Sequence, residues 1–168
     1  AGMVRTKKRD KVITDTTPHA CLVECVTIGL TCFNASSTIG RALESALAQD
    51  WPEIEILVVD DASTDGSVAE VRKWQRRDSR IRLIEHAENG GAGMARQTLV
   101  DNARGTYLVF FDDDDVSSPE RTRVQVERLR RAAAANKSPT LCLASGHRVY
   151  SNGYKKALPA IGQQRPVC

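Results

Sequence analysis

The stretch EIEILVVDDASTDGS, residues 53–67, joins a run rich in Ile, Leu and Val directly to a group of aspartates. The apolar run predicts a strand that is buried on both faces, as the strands of parallel sheets are. Asp60 and Asp61 follow that strand at once, although two like charges a few ångströms apart repel by roughly 1 kcal/mol even in water. A positive partner is therefore expected to compensate these carboxylates.

Short apolar runs alternate with amphipathic segments over the rest of the chain. The pattern predicts strands at 21–32, 53–59, 81–86, 106–111 and 140–150, and helices at 36–49, 67–77, 91–104 and 118–136. Buried strands that alternate with helices indicate the α/β class, with a mostly parallel, open, Rossmann-like sheet and helices on both of its faces.

Polar motifs stand at the ends of three of the predicted strands: TCFN at 31–34, DDAS at 60–63 and DDDD at 112–115. In open parallel sheets, ligands bind beyond the carboxyl ends of the strands, near the point where the strand order reverses. If the sheet has the common order 3-2-1-4, all three motifs line one crevice. A ligand site is therefore predicted at this edge of the sheet.

The 168 residues are 41% hydrophobic and 27% charged, a composition that suits one globular domain. Residues 128–168 hold eight Lys or Arg and no Asp or Glu, whereas 1–127 carry a net charge of −5. The opening RTKKRDK, residues 5–11, is also basic. We therefore divide the chain into a flexible basic segment, 1–20, and a domain, 21–168, and peripheral membrane or partner-subunit contact through the basic segments stays open. No apolar stretch reaches the roughly 18 residues that span a bilayer, so we expect a soluble, cytoplasmic protein.

Several other motifs have structural interpretations. The five cysteines include no C-x-x-C pair, which favours buried free thiols over a zinc site or disulfides. His19, His86 and His147 lie in separate segments and are interpreted as surface or core groups rather than ligands. Residues 61–72 resemble the twelve-residue EF-hand calcium loop, with Gly66 at its sixth position. However, the twelfth position is Arg72, where the loop requires a bidentate Glu. No base-stacking platform for nucleic acid is evident.

The ordered motifs together resemble the family 2 glycosyltransferases, which have the GT-A fold of nucleotide-diphospho-sugar transferases. The resemblance covers roughly residues 26–150. It rests on TCFN, on VVDDASTDGS at 58–67, NGGAGMARQ at 89–97, ARGTYLVFFDDDD at 103–115 and PER at 119–121. The chain departs from the family's first motif, which more often has Pro and Tyr where Thr31 and Phe33 stand.

The resemblance implies a role for each matching residue of the first two motifs. Thr31 and Phe33 would flank the nucleobase of the donor, and Asn34 would belong to the same donor site. Asp61 would accept a hydrogen bond from the base ring, while Asp60 would brace its loop.

The third motif corresponds to the family's D-x-D motif. Asp114 would be the direct ligand of a divalent cation, Mn²⁺ or Mg²⁺, and Asp112 would share the cation or, like Asp113, hold ribose or water. Oxygen ligands of this kind hold such cations while leaving coordination positions for phosphate. Arg96 would add a second positive contact to the diphosphate. The cation is thus the positive partner that the aspartates require.

The implied function is inverting transfer of a sugar from a nucleotide-diphospho-sugar, with uracil as the expected base, to a hydroxyl of a saccharide, lipid-linked or protein acceptor. A location at the inner face of a membrane fits such an enzyme. The alternative is a non-catalytic nucleotide-sugar-binding domain, or a donor-binding half that needs a partner segment. A pyrophosphorylase is disfavoured, because TCFNASS replaces the Gly-rich, Arg-containing loop expected after the first strand.

No carboxylate follows Glu127, and in the resembled family the general base comes from the acceptor-binding half, downstream of the aspartates. We therefore expect the catalytic base to be absent from this chain, and the domain to be truncated before its acceptor-binding half.

Overall fold

The computed structural model describes residues 24–136, 147–149 and 155–157. Within these residues the strands are β1 (Val26–Cys32), β2 (Ile54–Asp60), β3 (Ile81–Glu85), β4 (Tyr107–Asp112), β5 (His147–Val149) and β6 (Lys155–Ala157). The helices are α1 (Ile39–Leu47), α2 (Ser67–Gln75), α3 (Gly91–Asn102) and α4 (Arg121–Asn136). The predicted segment 1–20 lies outside the described residues.

Strands β1 to β4 form one parallel sheet in the order β3-β2-β1-β4, the order that brings the three strand-end motifs to one crevice. Val26 pairs with Ile54 on one side and with Tyr107 on the other, so β1 is an inner strand flanked by β2 and β4. The carboxyl ends of the strands therefore lie at one edge, where Cys32 is in register with Asp60.

Helices cover both faces of the sheet, which confirms the α/β class. On one face, Ile28 and Ile56 belong to a core cluster that includes Leu43 of α1 and residues of α2 and α4. On the other face, Leu57 packs in a second cluster with Leu99 of α3. Alternate side chains of buried strands point to opposite faces, so both faces of β2 need apolar residues, as the continuous run predicts.

Two helices begin later than the sequence predicts. Residues 36–38 form a turn before α1, in which Thr38 N and Ile39 N both donate to the carbonyl of Ala35, at 3.0 and 2.9 Å. A similar turn precedes α4, where Arg121 N donates to Ser118 O at 3.1 Å. Hydrophobic periodicity does not distinguish a turn that leads into a helix from the first turn of that helix.

The last predicted strand, 140–150, is described only at 147–149, where β5 is indeed a strand. It pairs antiparallel with β6, which the sequence analysis did not predict. The three residues of β6, two of them lysines, are too few and too polar to show the alternation typical of a strand. No helix among the described residues is both long and apolar enough to cross a bilayer.

Candidate functional site

A cleft of about 330 Å³ opens at the carboxyl edge of the sheet. Its lining includes residues from all three strand-end motifs and from the glycine-rich turn before α3: Thr31, Cys32, Phe33, Asp61, Asn89, Gly91, Ala92, Ala95 and Asp113. The predicted crevice therefore exists, and four of the predicted site residues line it. The parallel order of β2, β1 and β4 is what brings segments about 80 residues apart in the chain together.

Asp61 is held by three donors. Its Oδ1 accepts hydrogen bonds from Gly90 N at 3.0 Å and from His86 Nδ1 at 2.7 Å, and its Oδ2 accepts one from Gly91 N at 2.6 Å. Burial alone would raise the pKa of Asp61, but the Gly90 amide, His86 and the Gly91 amide together leave that pKa below its ordinary value. The carboxylate is therefore charged at neutral pH and can only accept hydrogen bonds.

The turn before α3 depends on glycine. Gly91 has a φ of 80°, which lies in the region that L side chains rarely adopt. Its N–H also lies 3.1 Å from Asn89 Oδ1, so the amide is directed at two oxygens. Gly90 and Gly91 thus supply two of the donors to Asp61.

Asp60 braces the loop after β2, as the resemblance implies. Its Oδ2 accepts from Ser63 N at 2.9 Å, while Oδ1 is buried and has no hydrogen-bond partner among the described residues. Asn34, with a φ of 51°, accepts from Thr64 N through its side chain at 2.9 Å and donates its own N–H to Ser63 Oγ. The observed contacts of Asn34 therefore join two loops, and its place in the donor site stays a prediction.

Asp65 also joins the loop after β1 to the loop after β2. Its Oδ2 accepts from Ser36 N at 3.0 Å and its Oδ1 accepts from Ser67 N at 2.9 Å. These contacts, led by the Ser67 hydroxyl, lower the pKa of Asp65. The loops that follow β1 and β2 are therefore rigidly cross-linked beside the cleft.

The aspartates after β4 lie in contrasting environments. Asp113 faces the cleft, and its Oδ2 accepts from Phe33 N at 3.2 Å. Burial, and then the charges of Asp114 and Asp112, raise the pKa of Asp113. The Asp112 side chain is 60% exposed, and its Oδ1 lies 3.7 Å from Arg96 Nη2. Arg96 thus lies beside the aspartates, where the sequence analysis expected a phosphate contact.

Arg121, the last residue of the PER motif, supplies a fixed positive charge behind these aspartates. Its guanidinium lies 4.4 Å from the centre of the Phe111 ring and donates to Phe110 O at 3.0 Å and Ser117 Oγ at 2.7 Å. Burial lowers the pKa of Arg121, while the charges of Asp115 and Asp112 oppose that effect. Part of the compensation that the aspartates require therefore comes from within the chain.

The donor set of the aspartate cluster fits a hard divalent cation, because carboxylate oxygens are the ligands such ions prefer. Among the described residues, no group of three or more His, Cys, Asp or Glu side chains forms a complete metal site. A cation held by Asp114 and Asp112 would thus need further oxygen ligands. An open coordination sphere of that kind is what a site shared with phosphate requires.

Of the two cysteines that the structure describes, Cys25 is partly buried and Cys32 is buried, and both are free thiols. Burial, followed by the charges of Asp60 and Asp113, raises the pKa of Cys32 to about 12. The Cys32 thiol is therefore protonated at neutral pH and is not a nucleophile, although it lines the cleft.

Sequence reasoning missed two residues of this site. His86 was interpreted as a surface or core group, and Arg121 as a part of a motif without a role. The signal for His86 was its position as the last residue of a predicted strand, at the same edge of the sheet as Asp61. The signal for Arg121 was its position in the first turn of a helix, shortly after four aspartates. The helix dipole does not favour a positive charge there.

Replacing Asp113 with asparagine is expected to stabilise the metal-free protein at neutral pH, by about 2 to 4 °C in melting temperature. A carboxyl whose pKa is raised on folding stabilises the fold only below its ordinary pKa and loses that contribution as the pH rises through the raised value. The amide oxygen can still accept from Phe33 N. Thermal denaturation at pH 7.5 and pH 3 checks this, because the gain should vanish in acid, and an equal gain at both pH values would contradict it.

The parallel sheet, the crosslinked loops and the aspartates at the strand ends define an α/β domain of the GT-A class. The family model described as Glycosyl transferase family 2 matches residues 27–141, and the chain belongs to that family. The family resemblance and the fold predicted from the sequence are thereby confirmed.

The chain is similar to several curated relatives. It is 41% identical to succinoglycan biosynthesis protein ExoO of Rhizobium meliloti over 109 residues, which are 65% of this chain and 31% of that protein. It is 39% identical to the UDP-Glc:alpha-D-GlcNAc-diphosphoundecaprenol beta-1,3-glucosyltransferase WfaP of Escherichia coli over 93 residues, 55% of this chain and 36% of that protein. The chain thus spans about a third of the length of these relatives.

Among solved structures, the chain resembles mannosyltransferase PcManGT from Pyrobaculum calidifontis in complex with GDP-Man and Mn2+, with a TM-score of 0.59 and 30% identity. It also resembles S. aureus TarS 1-349 in complex with UDP, with a TM-score of 0.58 and 28% identity. The matches cover 62% and 63% of this chain and 32% of each neighbour.

Proposed function

We propose that this chain is the donor-binding part of an inverting glycosyltransferase that uses a nucleotide-diphospho-sugar, with uracil as the base, and a divalent cation. One observation carries the proposal: a charged, acceptor-only carboxylate, Asp61, and the aspartate directly after β4, Asp113, line the same cleft. Asp61 suits a hydrogen bond from a nucleobase. Asp113 belongs to the aspartates 112–115, which suit a cation-bound diphosphate. The complexes of two neighbours with UDP and with GDP-Man and Mn2+ support it.

The base would bind at the Asp61 end of the cleft. Phe33 is 49% exposed although it is a large apolar residue, so its ring is available for stacking on a planar base. Asp61 Oδ2 takes one hydrogen bond, from Gly91 N, and a carboxylate oxygen can accept a second. A ring N–H of the base would provide it.

The diphosphate would lie toward the aspartates after β4. Asp114 and Asp112 would hold the cation there, and Arg96, next to Asp112, would contact a phosphate oxygen. When bound, a divalent cation neutralises the charge that develops on the leaving diphosphate. Asp113 accepts from Phe33 N and so joins the loop after β1, at the base end, to the aspartates after β4.

Inversion requires a general base within hydrogen-bond reach of the acceptor hydroxyl. Glu127, the last carboxylate of the chain, lies 3.7 Å from Arg123 and 3.8 Å from Arg131 on its own helix, which suits a surface ion-pair role. We propose that the base belongs to an acceptor-binding part that follows in the whole protein. The acceptor, a saccharide, a lipid-linked sugar or a protein, and the expected cytoplasmic location stay predictions.

This 168-residue chain alone is expected to bind UDP-sugars without transferring sugar to acceptors at a measurable rate. Saturation-transfer NMR with UDP, UDP-sugars, CDP and ADP, with and without Mn²⁺, measures donor binding, and UDP release with an acceptor library measures turnover. If the chain bound no nucleoside diphosphate, the proposed donor site would be refuted. Robust acceptor-dependent release of UDP above the rate of hydrolysis by water would instead show that the chain contains the base.

The second candidate is the alternative left open by the sequence, a domain that binds nucleotide sugars without catalysis. Joining the chain to the acceptor-binding part of the full-length protein separates the two. Restored transfer would support the enzyme, whereas tight donor binding without transfer in the full-length protein would support the binding domain.

A further inference from the structure

His86 contacts both the cleft carboxylate and helix α3. It lies one residue after β3, where its backbone N–H donates to Asp60 O at 2.9 Å and so extends the parallel ladder. Its ring lies between two partners: Nδ1 is 2.7 Å from Asp61 Oδ1 and Nε2 is 2.9 Å from Thr98 Oγ1. The His86 side chain is only 16% exposed, and that of Asp61 only 5%.

The partners determine where the ring carries its hydrogen. Asp61 is an ionised carboxylate and can only accept, so Nδ1 of His86 must carry a hydrogen. Thr98 Oγ1 also lies 3.1 Å from Met94 O, so the hydroxyl either donates to Nε2 or donates to Met94 O and accepts from a protonated Nε2. Both arrangements are compatible with a hydrogen on Nδ1, so the contact with Thr98 leaves the donation to Asp61 intact.

The donors to Asp61 are divided unequally between its oxygens. Oδ1 takes two hydrogen bonds, from His86 and Gly90 N, while Oδ2 takes one, from Gly91 N. A carboxylate oxygen accepts about two hydrogen bonds. Oδ1 is therefore saturated, and Oδ2 keeps one position for a ligand in the cleft that Asp61 lines.

We propose that His86 is a positioning residue that determines base specificity: by saturating Asp61 Oδ1 it holds the carboxylate with Oδ2 toward the cleft, as an obligate acceptor. This inference rests on the proposed function, because it assigns the base end of that donor site. An obligate acceptor selects bases that present a ring N–H, such as uracil at N3 or guanine at N1. It rejects cytosine and adenine, whose corresponding ring nitrogens are acceptors, since two acceptors would then face each other.

Two variants of His86 separate its contacts. In His86→Asn, the side-chain amide nitrogen can take the place of Nδ1, so the donor to Asp61 is kept and the contact with Thr98 is lost. In His86→Gln, the amide reaches toward the Nε2 position, so the contact with Thr98 is kept and the donor to Asp61 is lost. The two amides are chemically matched and differ only in reach.

The test is calorimetry of UDP and CDP binding by the whole chain, with melting temperatures to show that each variant is folded. His86→Gln is expected to weaken UDP binding by roughly tenfold or more, the loss typical of one charge-assisted hydrogen bond, and to reduce the preference for UDP over CDP. His86→Asn is expected to stay within about threefold of the original chain in both measurements. In an Asp61→Asn background, His86→Gln should change little further, because coupled residues do not act additively.

The outcomes separate this inference from the proposed function. If the unaltered chain binds neither UDP nor any other nucleoside diphosphate, the donor site itself is wrong. If the chain prefers UDP and folded His86→Gln keeps both that affinity and that preference, the donor site stands and the role of His86 is refuted. Equal losses in the Asn and Gln variants would also refute it, since they would show a general packing role. If His86→Gln does not fold, His86→Ala, which also removes the donor to Asp61, serves as the second variant, and an unchanged affinity for UDP with an unchanged preference over CDP would again overturn the proposal.

Discussion

Replacing Asp114 with alanine is expected to abolish the metal-dependent part of UDP binding. The family resemblance makes this carboxylate the direct ligand of the cation, and removal of groups that only support a ligand already costs roughly 10- to 100-fold in metal affinity. Loss of the ligand itself should therefore reduce UDP affinity in Mn²⁺ by at least about 100-fold. Calorimetry with UDP in the presence of Mn²⁺ or of EDTA measures this, and the two affinities should become equal in the variant.

The matched control is Asp115→Ala, which removes the same charge one residue further along the chain. Asp115 lies near Asp112 and Asp114, whose charges, after burial, raise its pKa. Because Asp115 is not assigned as a ligand of the cation, the control should keep metal-dependent binding. Asp114→Ala should melt no earlier than the original chain without metal, since it removes a like charge beside Asp113. Unchanged UDP affinity in Mn²⁺ for Asp114→Ala, together with a loss in the control, would transfer the ligand role to Asp115.

Replacing Asp61 with alanine is expected to weaken UDP binding by roughly 1 to 3 kcal/mol, equally with and without Mn²⁺, because its partner is the base rather than the cation. The change also leaves Gly90 N, Gly91 N and His86 without their acceptor. Buried donors without partners are costly, so the variant should also have a lower free energy of unfolding. Calorimetry with and without Mn²⁺ and urea denaturation measure the two effects.

The pH dependence of stability gives an independent check on Asp61. Its pKa is lowered on folding, so its contribution to stability is complete above its ordinary pKa and is lost as the pH falls through the lowered value. As the pH falls below 5, the free energy of unfolding of the original chain should therefore decrease more than that of Asp61→Asn. A loss of UDP binding seen only with metal would place Asp61 in the cation site. Parallel acid-unfolding curves would instead contradict the hydrogen-bonding role.

The strands and the position of the site could be predicted from local sequence. The run before Asp60 is apolar at successive positions, and a strand buried on both faces needs that composition whatever its neighbours are. Parallel strands that alternate with helices place their carboxyl ends at one edge, so the motifs after β1, β2 and β4 had to lie near each other once the order was known. The order itself, β3-β2-β1-β4, was only a condition borrowed from common architecture, and the structure supplied it.

Element ends were predicted less well. Residues 36–38 are Ser, Ser and Thr, and 118–120 are Ser, Pro and Glu, all of which suit either a cap or a first helical turn. The backbone hydrogen bonds show that both segments are turns. Such bonds depend on how the preceding loop is held. The loop before α1 is anchored by Asp65 and Ser67, about 30 residues further along the chain, which hydrophobic periodicity does not report.

The sequence by itself thus determined the α/β class, the strand-end motifs and the acidic character of the site. Only the tertiary structure brought His86 to Asp61 across 25 residues and Asp113 to the amide of Phe33 across 80 residues, and placed Arg121 against Phe111. These contacts depend on the register of neighbouring strands, in which Asp60 lies opposite both Cys32 and Glu85. A slip of one residue would turn every side chain of a strand to the other face, and no local pattern of residues specifies that alignment between distant segments.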